Sequence, residues 1–216
     1  FHGRYIVEDI FAQFDDKFDN ADKLVFAGSS AGSIALGFNV DLIKKYKNPY
    51  LIPDSFWLDA RNCIKTDDYY RSANLNWELT LNKINQQIAK TSLIITQGFI
   101  GSNSNNFTTT LGREGSDYTA AIFAYALNAE SVTIWKDVSG VLNGDPRVFK
   151  KTQLLNQISY REAIELAFYG ASVIHPKTLQ PLQRKEIPLY VKSFENPTEQ
   201  GTAVSRGKTL EPQIPC

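Results

Sequence analysis

The sequence predicts an α/β fold, a mostly parallel sheet sandwiched by helices. Three features carry this expectation. Helix-like and strand-like segments alternate along the chain, which is the signature of a parallel sheet covered on both faces. The run Ser92 to Thr96 (SLIIT) is nearly continuously apolar, as in a strand buried from both sides. Polar, glycine-bearing segments follow several of the strand signals, where open α/β sheets hold their ligands.

The elements follow in order. Lys23 to Phe38 (KLVFAGSSAGSIALGF) reads as a strand, a Gly/Ser turn and an apolar segment; the turn suits a phosphate, although small-residue turns are common without one. Pro53 to Asp68 reads as a strand plus a loop. Trp77, Leu81, Ile84 and Ile88 share one helical face, and this helix feeds the Ser92 to Thr96 strand. Asp117 to Leu127, rich in alanine and aromatics, is a helix, and Ser131 to Trp135 (SVTIW) has β-branched strand content. Ser159 and Glu162 form a capping box at the start of Tyr160 to Tyr169, and Gly170 stands where a helix end favours a left-handed residue. A helix follows Pro176, and Leu189 to Phe194 returns as a strand. Gly201 to Thr209 nearly spells a phosphate loop, but its glycine spacing is wrong and EPQIP cannot continue into a helix; it reads as a terminal strand and linker.

Composition narrows the function. The chain has 216 residues, 43% hydrophobic, enough for one substantial core that can split into two lobes. Lys+Arg and Asp+Glu both total 23, so no global field favours nucleic acid or an anionic membrane, and an anionic ligand must be held by a local cluster. Two cysteines and two histidines argue against a disulfide framework or a metal site of the chain's own. So few cysteines fit a reduced, cytoplasmic setting, and no apolar run reaches the roughly 20 residues of a membrane span. The chain opens on Phe1 and contains no methionine, as expected of a fragment.

The stretch TTLGREGSDYTAA, Thr109 to Ala121, gathers the chemistry. A helix beginning at Ser116 or Asp117 would present amides of partial positive charge, Gly112 and Gly115 let the backbone approach a ligand, and Arg113 offers a forked donor. Such a turn suits a carboxylate or a phosphate; an ordinary N-cap in a solvated loop is the bland alternative.

Three further segments accompany it: QGFIG at Gln97 to Gly101, WKDVSGVLNGDPR at Trp135 to Arg147, and YGASVIHPKTLQP at Tyr169 to Pro181. In this order the four resemble the aspartokinases of the amino acid kinase family, whose pieces read close to TQGFIG, TTLGRGGSDYTA, WTDVxGxxTxDPR and FGAxVxHPxT. The likeness runs from about Leu93 to Thr202, and WLDARNCIKTDD at Trp57 to Asp68 is similar to the family's D-A-R segment.

The resemblance implies an amino acid kinase, carbamate-kinase-like fold and transfer of the ATP γ-phosphoryl group, with Mg²⁺, to the β-carboxylate of L-aspartate. It implies that Arg113 clamps the substrate α-carboxylate, continued by Glu114, Gly115 and Ser116, and that Asp117 organises the family's catalytic lysine. Lys136, Asp137, Leu142, Arg147, Ser172 and Val173 then meet the nucleotide. Taken alone, Asp137 to Gly140 and Asp145-Pro146 read as turns and Arg147 as a surface charge. The chain departs from the pattern at Glu114 (usually Gly), Lys136 (Thr), Leu142 (Tyr nearby) and Ser172 (Lys nearby). It also lacks the K-F-G-G-T-S opening strand and the Ser/Phe-Gly-Glu segment; Gly28-Ser29 stands near the latter without its acid. The expected organisation is a catalytic domain over 1–205, with a substrate-side lobe to about 105 and a nucleotide lobe from about 106. Residues 206–216 would lead toward regulatory ACT domains, through which a homodimer would form. Other kinases of the family, acting on glutamate, acetylglutamate or carbamate, and a catalytically silent regulatory relative remain alternatives.

Overall fold

The computed structural model describes residues 24–28, 55–69, 71–88, 93–170 and 173–207. It divides into two compact units, Phe1–Leu127 and Asn128–Cys216, later in the chain than the lobe boundary expected near residue 105.

In the first unit the described elements are β1 (Leu24–Gly28), β2 (Ser55–Leu58), the short α1 (Ala60–Cys63), α2 (Trp77–Ile88), β3 (Leu93–Gln97), β4 (Ile100–Ser102), β5 (Thr108–Thr110) and α3 (Gly115–Leu127). β3 lies between β1 and β2, parallel to both, in register Leu24 with Leu93 and Ser55 with Leu93. β4 and β5 form a separate antiparallel pair, Ile100 opposite Thr110.

The expected face of α2 is the one that packs: Ile84 and Ile88 are buried, Trp77 is half-buried, and Thr80 joins them inside. Trp77 meets Tyr125 edge-on at 5.0 Å between ring centroids and Tyr118 at 6.5 Å. Ile84, Ile88, Leu58, Ile64, Ile94, Leu111, Ile122 and Phe123 close one apolar core. α3 buries most of its circumference, which is why its Ala and aromatic content shows little amphipathic pattern.

The second unit contains β6 (Val132–Lys136), β7 (Gln157–Ser159), α4 (Tyr160–Phe168), α5 (Pro176–Lys185), β8 (Leu189–Ser193) and β9 (Thr202–Ser205). Its sheet runs β6-β8-β9-β7; β6 is parallel to β8 and β7 to β9, while β8 and β9 are antiparallel. Both halves of the capping box form on α4: Glu162 N–H donates to Ser159 Oγ at 3.2 Å, and Ser159 N–H to the Glu162 carboxylate at 2.7 Å. Gly170 follows with φ +106°. α5 begins at Pro176 with His175 as its cap and ends in Glu186 at φ 57°. Tyr160 donates to the Ile187 carbonyl at 2.5 Å, and burial pushes its hydroxyl up to about 12.

The terminal strand expected in Gly201 to Thr209 is β9. The Gly/Ser turn and apolar segment after Gly28 lie outside the described residues, as do 208–216. No described helix is long and apolar enough to cross a membrane.

Candidate active site

β5 delivers the chain into the glycine-rich turn. Leu111 is buried, and its N–H donates to the Phe99 carbonyl at 2.8 Å. The backbone then passes through Gly112 at φ +84° and Glu114 at φ +54°. A Cβ on Gly112 would stand 2.3 Å from Ser72 Oγ, so both conformation and space demand glycine there.

The helix starts earlier than the sequence suggested. Gly115, not Ser116 or Asp117, is the first residue of α3. Gly115 N–H already reaches Gly112 O at 3.1 Å and Tyr118 N–H reaches Glu114 O at 3.1 Å, so the ladder runs before the polar pair. Asp117 consequently lies in the first turn and is 8% exposed, a favourable place for a carboxylate against the helix dipole. Ser116 and Glu114 are half-buried. Arg113 is exposed and makes no hydrogen bond or ion pair with another described residue.

A second layer braces this turn. Phe99, in the QGFIG loop, has φ +77°; its N–H donates to Thr119 Oγ1 at 3.1 Å, and Thr119 Oγ1 donates to Gly115 O at 2.9 Å. A Cβ on Gly115 would stand 2.8 Å from Phe99 Cδ2, so loop and helix start are in close contact. Gln97 Oε1 accepts from Ala60 N–H at 2.9 Å, joining the loop to α1. Asp59 caps α1 through Arg61 N–H at 3.0 Å, and its hydrogen bonds from the Arg61 guanidinium hold its carboxyl below the usual range.

Downstream, Lys65 Nζ donates to Ser102 Oγ at 2.8 Å and Asn106 Oδ1 at 3.2 Å, while Thr66 and Thr109 share a hydrogen bond at 2.7 Å. Burial, then the nearby Lys83, lowers the Lys65 pKa. The D-A-R segment is thereby laced to β4 and β5 far along the chain.

In the second unit, Lys136 ends β6 opposite Ser193 of β8, half-buried, and Asp137 follows it exposed. Lys192 Nζ lies 5.7 Å from the Trp135 ring centroid, a cation–π distance. Leu142 bridges to Leu154, and Val141 N–H donates to Thr202 Oγ1 at 2.8 Å. The DPR segment is a turn led by Asp145, whose carbonyl accepts from Val148 at 2.9 Å and Phe149 at 2.8 Å. The Arg147 side chain is 84% exposed and pairs with the Asp145 carboxylate at 2.7 Å. Asp145 holds the Arg147 pKa up, and Arg147 holds the Asp145 carboxyl down. Val173 is half-buried beside the buried Ile174, and Ser172 lies outside the described residues.

The expected residues therefore fall into two groups. Arg113, Glu114, Gly115, Ser116 and Asp117 converge on one turn of the first unit; Lys136, Asp137, Leu142, Arg147 and Val173 all belong to the second. Sequence reasoning missed the braces Phe99 and Thr119: QGFIG advertised a loop, but nothing in it marks a left-handed phenylalanine. Among the described residues no three His, Cys, Asp or Glu side chains gather as a metal site.

The family model of the amino acid kinases matches residues 8–193. The chain belongs to the amino acid kinase family. Within the family it is 43% identical over 162 residues to the lysine-sensitive aspartokinase 3 of Escherichia coli, covering 73% of this chain and 36% of that protein. It is 40% identical over 164 residues to an aspartokinase of Chlamydia pneumoniae, covering 74% of this chain and 37% of that protein. The chain thus spans little more than a third of either relative. The crystal structure of E. coli aspartokinase III in complex with aspartate and ADP superposes with TM-score 0.70 at 37% identity, over 82% of this chain and 39% of that one. Isopentenyl phosphate kinase, 13% identical with TM-score 0.57, shares the fold. The fold is the α/β arrangement expected, with parallel pairing throughout β1-β3-β2 and antiparallel pairing between β8 and β9 in the second sheet.

Proposed function

We propose that this chain is kinase-domain sequence of an aspartate kinase, transferring the ATP γ-phosphoryl group to the β-carboxylate of L-aspartate to give 4-phospho-L-aspartate and ADP. The observation that carries the reading is the Gly112–Gly115 turn, which holds an exposed Arg113 at the mouth of α3. Likeness to an aspartokinase crystallised with aspartate and ADP supports the choice of substrates.

In this reading Arg113 grips the substrate α-carboxylate through two N–H donors, Glu114 and Gly115 line the contact beside it, and the Ser116 amide extends the grip with the partial charge of the helix start. The β-carboxylate is the nucleophile. A side-chain carboxyl of this kind ordinarily titrates at about 3.9, so it is already ionised at neutral pH and no Ser, Cys or strong base is required of the chain. Asp117 orients the lysine that the family supplies at the phosphates. Lys136, Asp137, Leu142 and Val173 receive the nucleoside side of ATP, and Arg147 exchanges Asp145 for phosphate oxygens. Mg²⁺, when bound with the nucleotide, would supply positive charge at the phosphates. The described residues offer no cluster of acids to cage it. That donor set fits an ion carried by the nucleotide's phosphates and water.

The product would enter lysine, threonine and methionine biosynthesis in the cytoplasm, and the full-length protein would be a homo-oligomer. The test is a hydroxamate assay for acyl phosphate, with full-length protein, Mg-ATP and aspartate, glutamate, acetylglutamate or carbamate in turn. Aspartate is expected to be the preferred acceptor. Arg113→Ala is expected to lower kcat/KM for aspartate by about 30-fold or more, the loss of a buried charge-assisted pair once substrate covers it. Turnover of another acceptor in preference to aspartate, or an unaffected Arg113→Ala, defeats the reading.

A further inference from the structure

We infer that Thr119 is a positioning residue for the substrate-gripping turn, acting through the left-handed backbone of Phe99. The inference rests on the reading of Arg113 as the substrate clamp. Thr119 sits one turn into α3, fully buried, and its hydroxyl makes two hydrogen bonds. It accepts from Phe99 N–H at 3.1 Å and donates to the Gly115 carbonyl at 2.9 Å.

Phe99 is fixed from both sides, because its carbonyl also accepts from Leu111 N–H at 2.8 Å. These two bonds flank the Gly112–Gly115 turn: one lands on the residue just before it and the other on the helix just after it. A bulky residue at φ +77° is strained, and such a conformation persists only where surrounding contacts over-determine it. The Phe99 ring and Cα also abut Gly115, where an added Cβ would lie 2.8 Å and 3.3 Å from them. Phe99, Gly112 and Glu114, at +77°, +84° and +54°, thus form a set of left-handed residues around one loop, and the Thr119 hydroxyl is a buried side-chain bond that holds the set together. Without it Phe99 relaxes toward negative φ, and the turn that aims Arg113 loses its backing. Thr119 touches no reacting atom; it decides where Arg113 stands.

The test compares full-length wild type, Thr119→Val, which keeps shape but removes the hydroxyl, and Thr119→Ser, which keeps the hydroxyl. Expected for Thr119→Val is a KM for aspartate raised about tenfold, with the KM for ATP changed less than about twofold, and near-complete rescue by Thr119→Ser. A loss shared equally by both substrates, or a Ser variant as impaired as Val, overturns the inference. Amide hydrogen exchange supplies a readout independent of turnover. In Thr119→Val, the Phe99 amide and residues 112–115 should exchange about tenfold faster while the β3 amides remain protected. Unchanged exchange in 112–115, or loss of protection throughout the first unit, overturns the positioning role. Should wild type phosphorylate no acid on the panel, the functional reading fails by itself, and the exchange pattern still decides for or against Thr119.

Discussion

Glu114 stands where the resemblance led us to expect glycine, and its backbone is left-handed at φ +54°. For an L-residue with a Cβ this conformation costs roughly 1–2 kcal/mol. Replacing it with glycine removes that cost but adds about 0.5–1 kcal/mol of chain entropy to the unfolded state. Glu114→Gly is therefore expected to gain about 0.5–1 kcal/mol over a variant that loses the same side chain and keeps the strain. Glu114→Ala is that control. Both variants surrender whatever the carboxylate touches, so their difference isolates the backbone. The expected order, glycine more stable than alanine, is the reverse of the helix-interior order, where alanine leads by about 1 kcal/mol. Urea denaturation with the midpoint and slope fitted together measures it, and thermal midpoints should differ by about 1–4 °C in a chain of this size. An alanine variant equal to or more stable than the glycine variant refutes the claim that this turn stores left-handed strain.

Other outcomes follow from the same geometry. Gly201 has φ +70°, and a Cβ there would lie 2.0 Å from the Val191 carbonyl oxygen; Gly201→Ala should lose about 3 kcal/mol or more and much of its soluble yield, and a loss below about 1 kcal/mol would contradict the packing of β8 on β9. Burial pushes the Cys63 thiol up to about 11 from its ordinary 9.0. Between those values the unfolded chain gives up its thiol proton while the folded chain keeps it, so stability falls as pH rises, by up to about 1.4 kcal/mol per unit. Unfolding free energies measured from pH 8 to 10.5 should therefore drop more steeply in wild type than in Cys63→Ala, and parallel slopes would exclude Cys63 as the cause. If Lys136 supplies nucleotide-side charge that Ser172 does not, Lys136→Ala should raise the KM for ATP about fivefold or more while leaving that for aspartate near wild type; an unchanged ATP value rejects the compensation.

Much of the architecture was legible because it is local. The α2 face, the capping box of α4 and the Pro176 start of α5 follow from spacing and from donors and acceptors three residues apart, and each formed as expected. The Gly112–Gly115 turn was equally visible as chemistry: an arginine and glycines before a helix. What the residue order left open was the sign of φ at Phe99 and Glu114, the start of α3 at Gly115, and the partner of Arg147. The Arg147 pairing was within reach of the sequence, since Asp145 lies two residues away, but two local partners competed: a turn carboxylate and a ligand's phosphate. Phe99 is different in kind. Its conformation depends on a hydroxyl twenty positions later and on a helix packed against its ring, contacts that exist only after the chain has folded. The sequence determined which chemical groups this protein carries and in which secondary elements; the tertiary structure decided their backbone geometry, because strained conformations are selected by long-range packing and not by local preference.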